Sequence, residues 1–524
     1  MQPLVLQVLV RFGVIAAAFV ITSCAPKTDS SVMPSSAAQV DGQPAGMLRR
    51  GLGGEPATLD PALAEDNPAL AIAADLFEGL TAEAADGAIV PGAATGWSVT
   101  PDGLRWTFEL RPGLRWSNGQ PLSASDFTRA LDVVRNEAST SPYAALLDGV
   151  ASVHVLDDGR IEITTTRPMP QLPAILALPF ASPRFDGAAG DSLVSNGPYR
   201  LVARTPGESL QLERNPHFHA AGSVAIAQVR YFTVEDLGTE LNLYRAGDLD
   251  VTSEVPNAQL DWIRRNLPGE LHLAPYLSTY GYAINLRRLP KIDARKALAL
   301  AVDRQRIVTK VTGADELPAF SWVPPGIPGY VPSLVAWRDQ PQTQRESEAS
   351  RLWSAAGRAN PAPRKLKLCT DASANHRRTA IALADAWRRT LGIETEIVEL
   401  EWKAYLAQRA QPGDCDLLRF GWSADYVDPE AFLALFTSGH PQNVGGYSNA
   451  RYDALLQDAA LATSPERRNA LLAEAESVLL GDGVVIPVFH RVAKRLVKPY
   501  VAGVTPNPLG HLPSRSLRLQ QAKK

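Results

Sequence analysis

A carboxylate framed by aromatic residues is the most informative chemical feature of the sequence. The stretch RFGWSADYVDP, Arg419 to Pro429, places Asp425 between Trp422 and Tyr426. It continues a short, mostly apolar run, Cys415 to Trp422, that predicts a buried strand. A carboxylate just past the carboxyl end of a strand lies at the edge where open α/β sheets bind ligands. There it can pair with an ammonium group, while the rings exclude water and add cation–π attraction of roughly 0.5–2 kcal/mol.

A structural role is the alternative for Asp425. A helix is predicted from Pro429 to Thr437, and aspartate in the preceding turn commonly caps the amino terminus of such a helix. A capping carboxylate would accept backbone hydrogen bonds and would not be available to a ligand. Taken alone, this stretch leaves both interpretations open.

Alternating strands and helices surround this stretch and must position it. The segments LKLCT, ETEIVEL and CDLLRFGW read as strands, and two helical segments separate them. In the first helix, Ala374 to Thr390, the apolar residues Ala380, Leu383, Ala384 and Trp387 share one face. This βαβ alternation predicts an α/β lobe with a parallel-rich sheet from about residue 280 to 487. Shorter strands in the earlier half of the chain read as α+β, and they are predicted at Ile161–Thr166, Tyr199–Arg204 and Ser209–Arg214.

Length and composition limit the function classes. A chain of 524 residues is too long for one hydrophobic core, because single cores stop growing near ~250–300 residues. Hydrophobic residues make up 45% and charged residues 20% of the chain, as in ordinary soluble proteins. The formal net charge of −3 gives no basic footprint for nucleic acid. Two or more lobes are therefore expected, and DNA or RNA is not an expected partner.

The amino terminus reads as an export signal. Phe12 to Ile21 is an apolar run too short to span a bilayer, and small polar residues and Cys24 follow it. The segment ITSC resembles the lipobox of bacterial lipoproteins, in which the cysteine is acylated and becomes the first mature residue. Ala25 to Gly46 is rich in Ser, Ala, Pro and Gln and reads as a flexible tether. We therefore expect a signal peptide at 1–23 and a lipid-anchored tether at 24–46; a non-lipidated signal peptide cut nearby is the alternative.

Several longer motifs accompany the RFGWSADY stretch. Together with it, and in the same order, they resemble the oligopeptide-binding proteins that feed peptide ABC importers, in extracellular solute-binding protein family 5. The resemblance covers most of the chain after residue 50. The motifs are Glu55–Pro61 (EPATLDP), Asp75–Leu80 (DLFEGL), Trp106–Leu110 (WTFEL), Arg111–Asp126 (RPGLRWSNGQPLSASD), Asn196–Pro216 (NGPYRLVARTPGESLQLERNP), Ser278–Asn285 (STYGYAIN), Ala297–Ile307 (ALALAVDRQRI) and Ile486–His490 (IPVFH).

The resemblance implies a two-lobed periplasmic-binding-protein fold of the α/β class, type II and cluster C, with an extra domain inserted in the amino-terminal lobe. Lobe I would comprise 47–67, 195–277 and 488–524. The inserted domain would comprise 68–194, and lobe II 278–487. Hinges near 277–281 and near Pro487 would let the lobes close on a ligand.

The resemblance also assigns roles to single residues. Asp425 would pair with the α-amino group of a peptide, and Glu55 would be an acid of the ligand region, with a charge on a turn as its alternative. Arg419, Arg409 and His376 match positions that meet peptide carboxylates, which suits the bidentate guanidinium; a surface ion pair is the alternative for each arginine. Three aromatic residues match walls of the cleft, although aromatics at such spacings are more often core: Tyr143, Trp402 and Trp422.

The predicted function is the capture of oligopeptides in a closing cleft and their delivery to an inner-membrane ABC permease. The protein would be a monomer in the periplasm or at the cell surface, anchored in the lipid bilayer through acylated Cys24. Gly281 and Ala283 stand where peptide binders usually have Tyr and Glu, which keeps murein-derived peptides or other small organic solutes as an alternative.

No enzyme, cofactor or metal site is expected. The sequence contains no G-x-S-x-G, HExxH or G-x-x-x-x-G-K-[ST] motif, and its eight histidines do not cluster with metal-ligand spacing. A secreted peptide hydrolase is the least favoured alternative, because no nucleophile and base can be assigned.

The remaining cysteines of the exported chain are Cys369 and Cys415. Cys369 lies at the end of the strand-like KLKLC, and Cys415 lies at the start of the strand-like CDLLRFGW. If these strands are parallel neighbours, the two sulfurs lie at opposite ends, on the order of 10 Å apart. Two free thiols are therefore expected. Some relatives carry a different cysteine pair, and those positions here are both serine, Ser278 and Ser423.

Replacement of Cys24 by serine tests the predicted anchor. We expect the wild-type protein to partition with membranes and the Cys24→Ser variant to remain in the soluble fraction, unprocessed or processed elsewhere, because acyl chains supply the membrane affinity. Cell fractionation with immunodetection measures the difference, and unchanged fractionation would exclude lipidation at Cys24.

Overall fold

Three sheets organise the part of the chain that the structure, a computed structural model, describes. This part comprises residues 46–136, 138–157, 159–186, 193–357, 365–462 and 464–520, without the side chains of 402, 403 and 410. The predicted signal peptide and all but the last residue of the predicted tether lie outside it. No helix within these ranges is long and apolar enough to cross a membrane.

The six-stranded sheet carries the stretch that leads to Asp425. Its outer half is parallel, with Lys365–Asp371 between Glu394–Leu400 and Leu417–Ser423. The other half is antiparallel and contains two long strands, Leu271–Ile284 and Val485–Leu496, with a short edge strand at Leu317–Pro318. The α/β class is confirmed, but the sheet is mixed and not parallel-rich, because the two long strands return through it in the antiparallel sense.

The other two large sheets have four strands each. One joins Met47–Gly51, parallel, to the meander Gln228–Phe232, Ser209–Arg214 and Tyr199–Thr205. The other is wholly antiparallel and orders Ala94–Val99, Arg105–Leu110, Arg160–Thr165 and Val150–Asp157. Two-stranded ribbons pair Thr81–Glu83 with Ile89–Pro91 and Val501–Ala502 with Arg518–Leu519.

Helices cover these sheets. The α-helices are Asn67–Leu76, Ala124–Arg135, Leu172–Ile175, Leu237–Ala246, Leu260–Asn266, Ile292–Leu300, Arg304–Arg306, Gln342–Gly357, Ala374–Leu391, Trp402–Ala410, Glu430–Leu433, Ala450–Leu461 and Pro465–Gly481, with a π-helix at Ile307–Thr312. Short 3₁₀ turns occur at Ala144–Leu147, Pro179–Ala181, Ala221–Ser223, Asn257–Gln259, Ala434–Phe436 and Ser514–Ser516.

The helix Ala374–Leu391 forms for the reasons that its sequence predicts. Its apolar face is buried, and the indole Nε1 of Trp387 donates to the carbonyl oxygen of Leu298 at 3.0 Å. The helix ends at Gly392, whose φ of 68° is a left-handed conformation that glycine adopts without steric cost. The helix therefore begins at the predicted residue and ends one residue later.

Both faces of the six-stranded sheet are buried. Tyr280 and Tyr282 pack on one face with the helix that contains Trp387, while Ala283 and Phe420 pack on the other. Because successive side chains of a strand point to opposite faces, each central strand contributes to two apolar clusters. This double burial explains why the strand Leu417–Ser423 reads as a nearly continuous apolar run.

Two strands run across the predicted lobe boundaries. Leu271–Ile284 contains residues 277 and 278, and Val485–Leu496 contains residues 487 and 488. Their pairing shifts register between Pro275 and Thr279 and again between Tyr280 and Gly281. The predicted carboxyl-terminal pair of strand-like runs is instead one long strand followed by the short Val501–Ala502. The hinges stay a prediction, but both predicted positions fall on these paired strands.

Cys369 and Cys415 form a disulfide, with Cα atoms 5.9 Å apart, so the expectation of two free thiols is wrong. That expectation assumed that Cys415 opens the strand. The strand begins at Leu417, and Cys415 belongs to the preceding turn, where its backbone N donates to the carbonyl of Pro412 at 3.1 Å. The strand register sets Cys369 opposite Leu418, and the turn brings Cys415 back beside it.

Removal of this disulfide is expected to destabilise the protein. The bridge spans 46 residues. The double variant Cys369→Ala/Cys415→Ala should lose roughly 2–4 kcal/mol of unfolding free energy, because the open chain gains entropy when unfolded. Urea unfolding of the variant and of oxidised and reduced wild type measures the loss. Two reactive thiols in the denatured, unreduced mature protein would contradict the bridge.

Candidate functional site

Asp425 lies two residues past the strand Leu417–Ser423, at the predicted sheet edge. It does not cap the following helix. The carboxylate that accepts a backbone hydrogen bond at the start of this helix is Asp428: its Oδ1 accepts from the backbone N of Glu430 at 2.8 Å, and its carboxylate pairs with Arg468 at 2.8 Å. The α-helix, Glu430–Leu433, is shorter than predicted, and the 3₁₀ turn Ala434–Phe436 continues it. The structural alternative for Asp425 is therefore wrong, because a different carboxylate fills that role.

The Asp425 carboxylate has no protein partner among the described residues. None of the hydrogen bonds or ion pairs within these residues includes it, although the side chain is half-buried. It lines a cavity of about 80 Å³ whose other walls include Ile89, Leu178 and Leu509. Burial raises the pKa of Asp425 to about 6, and the nearby His511 moderates that rise. At neutral pH the cavity is therefore lined by an unpaired negative charge.

A second acid, Glu83, lines the same cavity but has partners. His511 Nδ1 lies 2.9 Å from Glu83 Oε2, and Asn507 Nδ2 donates to Oε1 at 2.6 Å. Burial acts to raise the pKa of Glu83, but the charge and hydrogen bonds of His511 outweigh it and hold the pKa below its usual range. Asp425 is consequently the acid of this cavity that lacks a hydrogen-bond or ion-pair partner within the described residues.

Aromatic residues occur at this end of the site. Trp422 has a buried indole N–H with no partner within the described residues, and the buried Tyr426, next to Asp425 in the chain, lines the same cavity. Tyr143 is also buried: it stacks on Phe180 at 4.8 Å, and its hydroxyl donates to a backbone carbonyl. Burial and then the charge of Asp425 raise the pKa of Tyr143, so the two groups are close in space. The structure thus brings Tyr143 close to Asp425, and Trp422 lies three residues before Asp425 in the chain.

The predicted carboxylate-binding residues Arg419 and His376 meet at a residue that the sequence analysis missed. Both contact Asp371, with Arg419 Nε and His376 Nδ1 each 2.9 Å from its Oδ1. Although burial opposes it, His376 and Arg419 hold the pKa of Asp371 well below its usual range. Burial lowers the pKa of His376 to about 4, so this imidazole is neutral at neutral pH. Arg419 is buried, which excludes the surface ion pair but leaves it paired with an internal acid.

Arg409 lies on the neighbouring helix with a neutral partner. Its Nη2 donates to Gln442 Oε1 at 2.7 Å, and its guanidinium lies 5.3 Å from the ring centroid of Phe420. None of the ion pairs within the described residues includes Arg409. The side chain of Trp402 lies outside the described part of the structure. A ligand role for either residue stays a prediction.

Glu55 has the contacts of a structural residue. Its Oε1 accepts from Arg204 Nη2 at 2.6 Å, and its Oε2 accepts from the backbone N of Gly207 at 3.0 Å. The alternative of a charge that stabilises a turn describes these contacts, and a ligand role stays a prediction. Unlike Asp425, this carboxylate does not lack partners.

The positions that depart from the peptide-binding pattern are tightly packed. A Cβ at Gly281 would lie 2.5 Å from the carbonyl oxygen of Ile486, so a larger residue requires the two long strands to shift. Ala283 is buried in the core. Both substitutions therefore concern the packing of these strands. The serines at the other family positions lie opposite each other, and Ser423 Oγ is 3.0 Å from Ser278 Oγ.

Comparison with known proteins decides the family. The model of Bacterial extracellular solute-binding proteins, family 5 Middle, matches residues 88–444. The chain belongs to this family. It is 34% identical to the periplasmic oligopeptide-binding protein OppA of Salmonella typhimurium, over 93% of this chain and 96% of the relative. It is also 35% identical to the probable deoxycholate-binding periplasmic protein YgiS of Escherichia coli, over 89% of this chain and 92% of the relative. The motif-based family prediction is confirmed, and the protein is a solute-binding protein, not an enzyme.

Solved structures of this family share the fold. OppA of Haemophilus influenzae in complex with RPPGFSPFR matches with a TM-score of 0.84 and 32% identity, over 91% of this chain and 100% of that chain. The murein tripeptide binding protein MppA of Escherichia coli matches with a TM-score of 0.84 and 30% identity, over 91% and 99%. Its unliganded open form, with the same identity and coverage, gives a TM-score of 0.73. This chain is therefore less similar to the open form.

Substitution of Asp425 should change the stability of the ligand-free protein in a pH-dependent manner. The pKa is about 6 in the folded state and ~3.9 when unfolded, so the folded state binds more protons between these values and loses stability as pH rises from 4 to 6. Asp425→Asn abolishes that loss, and above pH 6 it should be more stable than wild type by roughly 1–3 kcal/mol.

Thermal and urea unfolding at pH 4, 5, 6 and 7, after ligand removal by unfolding and refolding, measure this difference. The matched control is Asp339→Asn, because the Asp339 side chain is 90% exposed and carries the same charge. A variant whose stability follows wild type at every pH would show that the Asp425 charge is well solvated.

Proposed function

We propose that this protein captures oligopeptides in a cleft that closes around them and delivers them to an inner-membrane ABC permease. The observation that carries this proposal is the unpaired Asp425 carboxylate in a small, mostly apolar cavity. A free α-amino group supplies the missing positive charge. A peptide of arbitrary sequence also offers its backbone, so it can be recognised without regard to its side chains.

We also propose the two-lobed cluster C architecture with the boundaries predicted for it. Lobe I would comprise 47–67, 195–277 and 488–524, the inserted domain 68–194, and lobe II 278–487. The three large sheets support these boundaries, because one lies mainly within each proposed unit, and two strands would connect lobe I with lobe II. The greater similarity to the peptide complex of OppA than to the open form of MppA supports a clamp that closes. The protein would act outside the cytoplasm as a monomer, held at the membrane by acylated Cys24.

Two alternative ligands follow from the relatives. MppA is described as a murein tripeptide binding protein and YgiS as a probable deoxycholate-binding protein. Deoxycholate carries a carboxylate but no amine, so it would leave Asp425 without a counter-charge. The unpaired acid therefore favours a peptide, whether murein-derived or not, over a bile acid.

Binding of amine-matched peptides tests this assignment. Wild type should bind the free-amine tripeptide Ala-Ala-Ala far more tightly than its N-acetylated form. Asp425→Asn should lose roughly 3–5 kcal/mol for the free amine, a hundredfold or more, because an ammonium group would be buried without its partner. Isothermal titration calorimetry of refolded protein measures both ligands, with Asp339→Asn as the control.

The outcomes separate the ligand classes. Equal affinity of wild type for the two peptides would refute an amine anchor at Asp425. Binding of deoxycholate with no binding of either peptide would favour the bile-acid alternative. Product analysis of the same mixtures should recover the peptides intact.

A further inference from the structure

Arg491 is a positively charged residue near the candidate site that the motifs did not identify. It lies on the long strand Val485–Leu496, in the segment where pairing with the neighbouring strand shifts register. Its guanidinium lies 5.5 Å from the ring centroid of Tyr280, and its Nη2 is 3.4 Å from His376 Nε2. No ion pair of the described residues includes Arg491. Its hydrogen-bond partner is therefore an imidazole and not an acid.

The guanidinium groups of Arg491 and Arg419 both lie close to the position that a side chain at residue 421 would occupy; we call this position the space above Gly421. A Cβ built on Gly421 would lie 3.5 Å from Nη1 of Arg419 and 3.8 Å from Nη2 of Arg491. Gly421 is a strand residue without positive φ, so the backbone does not require glycine here. The missing side chain leaves space beside both guanidinium groups. A larger residue would occupy the position from which an anion could contact both.

The charges near Gly421 do not balance. Arg419 is paired with Asp371, and His376 is neutral at neutral pH because burial lowers its pKa to about 4. Arg491 therefore adds a positive charge that has no acid of the described residues within ion-pair distance. Two guanidinium groups in a partly buried site repel each other, and a carboxylate between them removes that repulsion and can accept from both. The arrangement has the chemistry of an anion subsite.

We propose that Arg491 binds the carboxylate of the ligand above Gly421, with Arg419, already paired with Asp371, as the second donor. This inference rests on the proposed function and specifies which residue recognises the acidic end of the ligand. The motif-based expectation assigned that task to Arg419, Arg409 and His376. Arg491 differs from Arg419 in having no acid of the protein as its partner.

The position of the subsite limits the ligand. Gly421 and Asp425 are four residues apart, and an extended chain advances at most ~3.6 Å per residue, so their Cα atoms are within about 14 Å. A ligand whose amine meets Asp425 and whose carboxylate lies above Gly421 is therefore short. By the same geometry an extended peptide of about three or four residues has this length. The inferred ligand class is a short peptide with a free carboxylate.

Two variants test the subsite independently. Arg491→Gln removes the charge and keeps a long polar side chain. Gly421→Ala keeps both arginines and places a methyl group between them, and its nearest contact of 3.4 Å permits normal folding. The control is Arg388→Gln, which makes the same charge change at an ion pair on an exposed helix face. Thermal unfolding establishes that all variants are folded.

The probes are Ala-Ala-Ala, its carboxyl-terminal amide and its N-acetylated form, titrated by calorimetry. Wild type and Arg388→Gln should bind the free acid about tenfold or more tightly than the amide, as expected for charge-assisted hydrogen bonds. Arg491→Gln and Gly421→Ala should lose most of this preference. Both should retain the preference for a free amine, because Asp425 is unchanged.

An unchanged acid-to-amide ratio in folded Arg491→Gln would overturn the inference and leave the proposed function intact. If Arg491→Gln loses the preference for the free acid over the amide but Gly421→Ala keeps it, the carboxylate contacts Arg491 at another position. That result would overturn the site above Gly421. Wild type that binds none of the three probes would overturn both the inference and the proposed function. Wild type that prefers the free acid but not the free amine would refute the amine anchor alone and support the subsite.

Discussion

Burial of a carboxylate without a partner costs free energy, and the candidate site contains one such carboxylate, Asp425. The neighbouring acid, Glu83, is relieved by His511 and Asn507, so the protein has the means to neutralise a carboxylate in this cavity. Asp425 has no such partner, and burial raises its pKa to about 6. In the proposed binding mode a ligand ammonium group would supply the missing partner. Binding would then recover the free energy that burial of the unpaired carboxylate costs.

The two ends of the candidate site differ in the sign of their uncompensated charge. The Asp425 cavity has one excess negative charge, whereas Arg409 and Arg491 add positive charge near the Asp371 and Arg419 pair. A peptide has a positive amine at one end and a negative carboxylate at the other. The charge pattern therefore favours one orientation of a zwitterionic ligand, because the reverse orientation brings like charges together. In the proposed binding mode these two ends would set the orientation of the ligand, and its side chains could vary.

Sequence patterns predicted those parts of the site that depend on residues close together in the chain. The strand that ends at Ser423, the helix Ala374–Leu391 and the position of Asp425 at the sheet edge follow from periodicity and turn signals. Glu83 and His511 could not be found in this way, because the residues that bond are 428 positions apart and meet only in the folded chain. The disulfide was missed because the strand starts two residues later than its apolar run. Asp371 was recoverable, because it ends a parallel strand at the same edge of the sheet as Asp425.

The two long antiparallel strands connect ligand recognition with the arrangement of the predicted lobes. Both strands cross the predicted boundary between lobes, and both are irregular near it, with register shifts beside Thr279 and Gly281. Arg491 lies within this irregular segment and contacts His376, which lies on the helix Ala374–Leu391. A carboxylate held by Arg491 and Arg419 therefore bridges a crossing strand and a strand wholly within the predicted second lobe. An anion in that position would favour the conformations in which both guanidinium groups face it, and a ligand would thereby stabilise one arrangement of the strands that join the lobes.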